Sequence, residues 1–414
     1  MNSEGRRNAL KLACGVLLGT QVRGVLGASD ERARTPRRAG RSTGQEAPRG
    51  PAQRVLNVGR ERAIRSIAEA STLANSGDVI EVDAGTYTAD VAVFAQPQLT
   101  IRARDPGCVL HAAGHSAEAK AIWVVRGQDI TVEGFTFTGA RVPDLNGAGI
   151  RHETGRLTVR NCTFTDNETG ILTGNEPMSE LEVRGCEFGR NGAGDGQSHN
   201  LYVGAIARVL VEASYFHHGN VGHLLKTRAA EAHILYNRLT DERDGTASYE
   251  LEFPAGGIAY VIGNLIQQGP MTENTTVVSY GAEGLKWPRN ELFMINNTLV
   301  NDLDKPATFL ALRGALGRGR LINNVICGLG TLAAIAPGSL TRNFRATRDD
   351  FAAPARMDYR LRPNSWLVGR GYAPGSANGL ELRPVAEYVH PRSMQPVQTD
   401  TLSPGAFQRT GTAR

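Results

Sequence analysis

The chain has 414 residues, a formal net charge of +5 and five cysteines. Residues 1–54 hold 11 basic and 4 acidic residues, which leaves the rest of the chain with 35 basic and 37 acidic residues and a formal net charge of −2. The folded part is therefore not basic in bulk, which argues against a nucleic-acid-binding protein, and five cysteines are too few for a disulfide scaffold.

The N-terminus has the pattern of an export signal. Arg6-Arg7 is similar to a twin-arginine motif, and the modestly apolar stretch Leu12–Ala28 ends in small residues. We therefore expect residues 1–28 to direct export to the periplasm or out of the cell, with a disordered basic tail as the alternative. The stretch is too short and too interrupted to span a membrane stably. Residues 29–54, rich in Arg, Pro and Gly, predict a disordered linker.

A short helix is predicted next, over Ala63–Ala74. Apolar residues recur there at helical spacing, at Ile64, Ile67, Ala68 and Leu73. We interpret this helix as a cap that covers the open N-terminal end of the domain, because an exposed sheet edge there would invite aggregation.

A unit then recurs about every 23–33 residues from Phe135 to Ile326, a period typical of stacked supersecondary units. One column of the repeat is apolar in every copy: Phe137, Phe164, Phe188, Phe216, Leu239, Ile266, Leu299 and Ile326. The position two residues earlier is Asn in the last four copies, at Asn237, Asn264, Asn297 and Asn324. Two columns in register make the repeat a specific signal.

The units have the composition of strands rather than helices. Apolar and polar residues alternate over four to six positions, as in Leu157–Phe164, and Gly and Asn occupy nearly every junction. These features predict an all-β chain whose residues 55–340 form a parallel β-helix. Since stacked coils place like residues about 4.8 Å apart, we expect the Asn column to form a ladder of buried side-chain hydrogen bonds.

Residues 341–414 lose the repeat and predict an irregular C-terminal cap or tail. Within the repeat, Cys162 and Cys186 occupy one column of adjacent coils, within disulfide range. Either a bridge or two free, buried thiols would fit this spacing.

The segment GDVIEVDAGTY (77–87), the Asn column and the coil length resemble right-handed parallel β-helix proteins of the pectate-lyase-like superfamily. The resemblance covers about residues 60–335. It implies the fold, but the superfamily includes lyases, hydrolases, epimerases and non-catalytic proteins, so the fold does not choose the activity.

Charged residues concentrate on the strand that opens each of the middle coils. Strand alternation predicts that Leu201, Val203, Leu251 and Phe253 point inward. The outward residues would then be Asn200, Tyr202, Lys226, Arg228, Glu250 and Glu252, with Tyr280 and Arg313 extending the same sheet. An exposed sheet has no structural need for such a cluster, although a surface ladder of ion pairs is the simpler alternative.

The cluster predicts a site for an anionic polysaccharide. Arg228 would neutralise a uronate carboxylate through its planar fork, and Lys226 or Tyr202 would remove the acidified C5 proton, with His223 as a further candidate. Asn200, Tyr280 and Arg313 would contact substrate. Loss of the C4 substituent makes a lyase, whereas return of the proton to the opposite face makes an epimerase.

This arrangement loosely resembles β-helix lyases of the chondroitinase B and alginate lyase type, which use a Lys base, an Arg and an Asn/Glu/Glu calcium site. The resemblance implies that Asn200, Glu250 and Glu252 bind Ca²⁺ through hard oxygen ligands. Here the Lys/Arg strand precedes the Glu/Glu strand, unlike the order in that family.

Two other classes of function remain open. Glu250 and Glu252, two apart on one strand, could form the carboxylate pair of an inverting glycoside hydrolase. A non-catalytic glycan-binding or cell-envelope protein would keep the charged groove without any tuned acid or base.

Overall fold

A computed structural model describes residues 53–272, 274–332 and 340–411. The strands stack in parallel into a β-helix, and each coil contributes one strand to each of three faces. The front sheet has ten strands: Ala92–Phe94, Ala121–Val125, Ala148–His152, Thr169–Thr173, Leu201–Val203, Leu225–Thr227, Leu251–Phe253, Thr276–Tyr280, Ala307–Leu312 and Gly330–Thr331.

Two further faces complete each coil. The side sheet consists of Val55–Val58, Val79–Val82, Thr100–Ala103, Ile130–Glu133, Arg156–Arg160, Glu180–Arg184, Arg208–Glu212, Glu231–Leu235, Ile258–Ile262 and Glu291–Ile295. The back sheet consists of Gly85–Thr88, Cys108–His111, Phe135–Thr138, Thr163–Thr165, Glu187–Gly189, Tyr215–His217, Arg238–Thr240, Leu265–Gln268 and Thr298–Asn301. Arg318–Cys327 bends around the corner and pairs with both sheets, and Leu340–Ala346 pairs with Arg318–Cys327. The predicted parallel β-helix is confirmed.

The apolar column of the repeat forms the interior of the back sheet. The rings of Phe137, Phe164, Phe188 and Phe216 stack with centroid separations of 4.9, 4.8 and 4.7 Å, close to the spacing of parallel strands. All four side chains are buried. The stacking of successive coils in register therefore explains why this position is apolar in every copy of the repeat.

The predicted asparagine ladder runs along the corner between the side and back sheets. Nδ2 of Asn237 donates to Oδ1 of Asn264 at 3.0 Å, Asn264 to Asn297 at 3.0 Å, and Asn297 to Asn324 at 2.9 Å. Each Nδ2 also donates to a backbone carbonyl, and each Oδ1 also accepts a backbone N–H, as for Asn264. These buried amides are thus fully paired, and Asn343 extends the ladder by one coil.

The corner between the back and front sheets holds a second set of buried polar groups, which the sequence analysis did not anticipate. Nδ2 of Asn167 donates to Oδ1 of Asn191, and Nδ2 of Asn191 donates to Oδ1 of Asn200 at 2.8 Å. Asn200 then donates to the carbonyl of His217 at 3.0 Å. The prediction that Asn200 faces outward is wrong: it precedes the three-residue strand Leu201–Val203, and strand alternation does not extend across the corner.

The same correction applies to Glu250, which is 0% exposed instead of facing solvent. Neither of its carboxyl oxygens has a hydrogen-bond partner among the described residues. Asp241, also buried in this coil, accepts the N–H groups of Gly219 and Ala247 at 2.8 and 2.7 Å. Burial raises the pKa of Asp241 to about 7. Burial and the neighbouring Asp241 raise the pKa of Glu250 well above its usual range.

The predicted N-terminal helix is confirmed but is shorter, Ile67–Leu73. Its N-cap is Ser66, whose side chain accepts the N–H of Glu69 at 3.1 Å. The Asp90 carboxylate accepts the first two helical N–H groups, at 2.7 and 2.8 Å. Because Ile67 joins the main hydrophobic core, the helix covers the first coils.

The chain after Ala346 covers the side and back sheets. It contains the short 3-10 helices Arg348–Asp350 and Pro354–Arg356 and three antiparallel strand pairs: Phe351–Ala353 with Asp358–Leu361, Ser376–Ala377 with Leu380–Glu381, and Ala386–Val389 with Ser393–Pro396. Leu382 packs with Tyr260 outside the side sheet, and Tyr359 packs with Leu265 outside the back sheet. The front sheet is therefore the face that this packing leaves uncovered.

Cys162 and Cys186 are free and buried. Their thiols lie near the carbonyls of Arg160 and Arg184, at 3.2 and 3.4 Å. Burial raises the pKa of both, that of Cys186 to about 12, so both stay protonated and inert. Of the two arrangements left open by the sequence, the structure has the free thiols.

The predicted export signal, residues 1–28, and the linker up to residue 52 lie outside the described residues. Within the part of the chain that the structure covers, no helix is long and apolar enough to cross a membrane.

Asn297→Ala tests the ladder. The substitution leaves the side-chain and backbone N–H groups of Asn264 without their acceptor, and each unsatisfied buried group costs about 1–3 kcal/mol. We expect the free energy of unfolding to fall by roughly 3 kcal/mol in urea denaturation. Asn146→Ala, at an exposed loop position, is the matched control. Equal stability of the two variants would contradict the ladder's role.

Glu250→Gln tests the buried acid pair. A carboxyl with a raised pKa in the folded state lowers stability as the pH rises from about 4, its value in the unfolded chain, towards the folded value. We expect wild-type stability to fall between pH 4 and pH 7, and Glu250→Gln to be more stable at pH 8 by at least about 1.4 kcal/mol, the equivalent of one pKa unit. Glu176→Gln, at an exposed position, is the control. An unchanged pH profile in Glu250→Gln would refute this account.

Candidate functional site

The middle of the front sheet presents three chemically active side chains on adjacent strands. Tyr202 pairs in register with Lys226, and Lys226 pairs with Glu252. Their neighbours along the strands, Leu201 and Phe253 among them, are buried in the core. Strand alternation therefore places these three side chains on the outer face, as the sequence predicts.

Arg228 lies two residues beyond Lys226 and is held by a carboxylate that the sequence analysis missed. Nε and Nη2 of Arg228 donate to Glu283 at 2.8 and 2.5 Å. Nη1 donates to the hydroxyl of Tyr202 at 2.5 Å, with the guanidinium 5.1 Å from the ring centroid. Arg228 thus joins the outward cluster, with its fork occupied by a two-point carboxylate contact.

Glu283 comes from the loop that follows the next front strand but one, and its backbone N–H donates to the carbonyl of Pro254 at 2.9 Å. Its side chain is 44% exposed. Hydrogen bonding to Arg228 lowers the pKa of Glu283 below its usual range. The sequence feature that could have indicated a role for Glu283 is its position between Gly281 and Gly284, both of which adopt positive φ.

Glu252 lies under Lys226 and is only 4% exposed. Its Oε2 is 3.3 Å from Nζ of Lys226 and 3.2 Å from Nδ1 of His223. Burial would raise the pKa of Glu252, but the contacts with His223 and Lys226 outweigh burial and lower it. Neither contact is a well-directed hydrogen bond, and Oε2 is shielded from solvent, so the carboxylate forms the buried floor of the site.

Two buried imidazoles support the cluster from below. Nδ1 of His199 accepts the backbone N–H of His223 at 2.9 Å, and the two rings lie 4.4 Å apart. His199 also stacks on Tyr202 at 5.3 Å. Burial lowers the pKa of both histidines, so they are neutral at pH 7. His223 therefore sits behind Glu252, where it orients the carboxylate, and its catalytic role stays a prediction.

Two predicted extensions of the site do not join the cluster. Tyr280 is buried and donates to the carbonyl of Gly257 at 2.5 Å, because its register partner is the inward Phe253. The prediction that Tyr280 faces outward is wrong. Arg313 is exposed after the strand Ala307–Leu312, but it lies three coils from Arg228, about 14 Å along the stack.

The predicted calcium ligands do not assemble. Asn200 and Glu250 lie inside the coil, while Glu252 alone faces the outer cluster and is engaged by Lys226 and His223. Over the described ranges, no group of three or more His, Cys, Asp or Glu side chains could hold a metal ion. The residues do not fit Ca²⁺ at this position. The separation of Glu250 from Glu252 likewise removes the carboxylate pair proposed for an inverting hydrolase.

A cleft of about 340 Å³ adjoins the cluster on the N-terminal side of Tyr202. It is lined by Asp144, Leu145, Asn146, Arg151, Thr169, Leu172, Thr173, Gly174, Asn175, Asp195, Gln197 and Tyr202. Tyr202 belongs to both, so the cleft and the charged cluster form one continuous surface on the front sheet.

Comparisons with known proteins agree with this architecture. A family described as "Right handed beta helix region" matches residues 115–301. The structure of pectate lyase Pel9A is similar with a TM-score of 0.52 and 14% identity, covering 86% of this chain and 97% of the other. No curated protein sequence matches the chain.

Two more distant structures also align. An alginate lyase from Paenibacillus sp. strain FPU-7 has a TM-score of 0.45 and 14% identity, covering 71% of this chain and 98% of the other. A polysaccharide lyase of family PL6 from Pseudopedobacter saltans has a TM-score of 0.36 and 12% identity, covering 75% and 96%. The family match and the pectate lyase structure agree with the right-handed parallel β-helix fold of this chain.

Proposed function

We propose that the protein cleaves a uronate-containing polysaccharide by β-elimination on its front sheet. The observation that carries the proposal is the position of the Glu283 carboxylate. It lies in the fork of Arg228, and its Oε1 is 3.9 Å from Nζ of Lys226. A carboxylate at this point contacts the guanidinium of Arg228 on one side and lies near the amine of Lys226 on the other, beside the hydroxyl of Tyr202.

The substrate carboxylate takes the place of Glu283. Glu283 is on a loop and is nearly half exposed, so it can leave the fork without disturbing the core. Two-point binding by a guanidinium neutralises the uronate and makes the neighbouring C5 proton more acidic. The sugar ring then lies beside the hydroxyl of Tyr202.

The chemistry needs one base and one acid. Nζ of Lys226 removes the C5 proton, and the electron pair forms the C4–C5 double bond as the C4–O bond breaks. Tyr202 accepts a hydrogen bond from Arg228, so its own O–H points elsewhere and can protonate the departing oxygen. The proton gained by Lys226 returns to Tyr202 through solvent, which restores both groups.

Glu252 and His223 position these groups. Glu252 contacts Lys226 from below through its Oε2. Neutral His223 keeps the carboxylate in place. A uronan epimerase would use the same base and fork but would return the proton to the opposite face.

A binding protein without turnover is the second candidate. It is favoured by one observation: Lys226 lies between the carboxylates of Glu252 and Glu283, an ion-pair arrangement that needs no catalysis. We also propose that residues 1–28 direct export of the protein, because an extracellular polysaccharide is reached only outside the cytoplasm.

Lys226→Gln tests turnover. Purified protein is incubated with alginate, pectate, hyaluronan and chondroitin while ultraviolet absorbance reports the unsaturated uronate product. We expect absorbance to rise with one of these polymers, and Lys226→Gln to slow the rise by about 10²–10⁴-fold, the usual contribution of a general base. Lys305→Gln, at an exposed position, is the control. No rise on any polymer would exclude a lyase for these substrates.

Glu283→Gln tests the displacement. Removing the negative charge weakens the internal competitor for Arg228, so we expect the dissociation constant for an acidic oligosaccharide to fall by roughly tenfold, about 1.4 kcal/mol. Calorimetric titration at low salt measures this change. Glu176→Gln, at an exposed position, is the control. Weaker binding by Glu283→Gln would contradict the displacement.

A further inference from the structure

The cleft beside Tyr202 contains one cation, Arg151, that the proposed chemistry does not use. Arg151 lies on the front strand Ala148–His152 and pairs in register with Leu172, which in turn pairs with Tyr202. Arg151 therefore occupies the outward column of Tyr202 and Lys226, two coils before Tyr202, about 10 Å along the stack.

Arg151 forms no ion pair in the described part of the chain, although Asp144 and Asp195 also line the cleft. Nε of Arg151 is buried and has no hydrogen-bond partner. Among the residues of known placement, no carboxylate lies within ion-pair distance of it; the nearest acid along its strand, Glu153, is held by Lys120 at 2.5 Å and Arg126 at 3.1 Å. The Arg151 side chain is only partly buried, so the charge of its guanidinium stays available to a ligand from outside the chain.

The walls of the cleft are fixed before any ligand arrives. Oε2 of buried Glu168 accepts the backbone N–H groups of Val142 and Gly147, at 3.0 and 2.7 Å, which ties down the loop on one side. On the other side, Oδ1 of Asp195 accepts the N–H of Ser198 at 3.1 Å and its hydroxyl at 2.8 Å. A preformed cleft binds its ligand without a large ordering cost.

We propose that Arg151 binds a second acidic group of the same polysaccharide, on a sugar unit remote from the one held by Arg228. Arg151 and Lys226 are three coils apart, about 14 Å, which is longer than one sugar ring. The ligand therefore runs along the stack, over Leu172 and Tyr202, and is an oligosaccharide with at least two acidic groups. This inference rests on the proposed function of the charged cluster.

The experiment is a length series. Calorimetry measures the dissociation constants of oligogalacturonates and alginate oligosaccharides, from disaccharide to hexasaccharide, with the wild type, Arg151→Gln, Arg228→Gln and Arg160→Gln. Arg160 is an exposed arginine of the side sheet and provides the matched control. Thermal unfolding checks that each variant is folded, and Arg151→Lys tests whether charge alone restores binding.

We expect Arg151→Gln to weaken hexasaccharide binding by about tenfold or more and to leave disaccharide binding unchanged, whereas Arg228→Gln weakens binding at every length. If Arg228→Gln weakens binding but Arg151→Gln changes none of the constants, the second subsite is wrong and the proposed function stands. If no acidic oligosaccharide binds the wild type, both fail.

Discussion

The parallel register of the coils is the constraint on which the rest of the structure depends. Because each strand pairs residue by residue with the strands before and after it, every side chain faces its counterpart about 4.8 Å away. A buried polar residue can then be satisfied by the same residue in the next coil, as in the ladder from Asn237 to Asn343. The stacked phenylalanine rings follow from the same repeat.

The same register builds the candidate site. Tyr202, Lys226 and Glu252 are far apart in the chain but adjacent in the front sheet, since they share one column. The C-terminal segment packs on the side and back sheets, so the front sheet keeps an open face. A groove along the stack can therefore collect charges from successive coils, which suits a linear, repetitively charged ligand.

The regular parts of the structure could be predicted from the sequence, and the irregular parts could not. Columns such as Phe137 to Phe216 repeat in the chain and predicted the fold, and alternation within strands placed Tyr202 and Lys226 correctly. The orientation of residues at the corners between sheets was not predicted correctly. Asn200 and Glu250 precede three-residue strands, where the backbone turns and alternation no longer applies. Glu283 contacts Arg228 across 55 residues through a loop, which no local pattern encodes.

We propose that the fork of Arg228 binds the carboxylate of an acidic sugar and that Glu283 occupies the fork when no ligand is bound. A crystal structure of the protein with a bound uronate oligosaccharide tests this most directly. We expect a sugar carboxylate in the Arg228 fork, with Glu283 turned away and the C5 carbon beside Nζ of Lys226. An oligosaccharide bound elsewhere, with the Arg228–Glu283 pair intact, would contradict it.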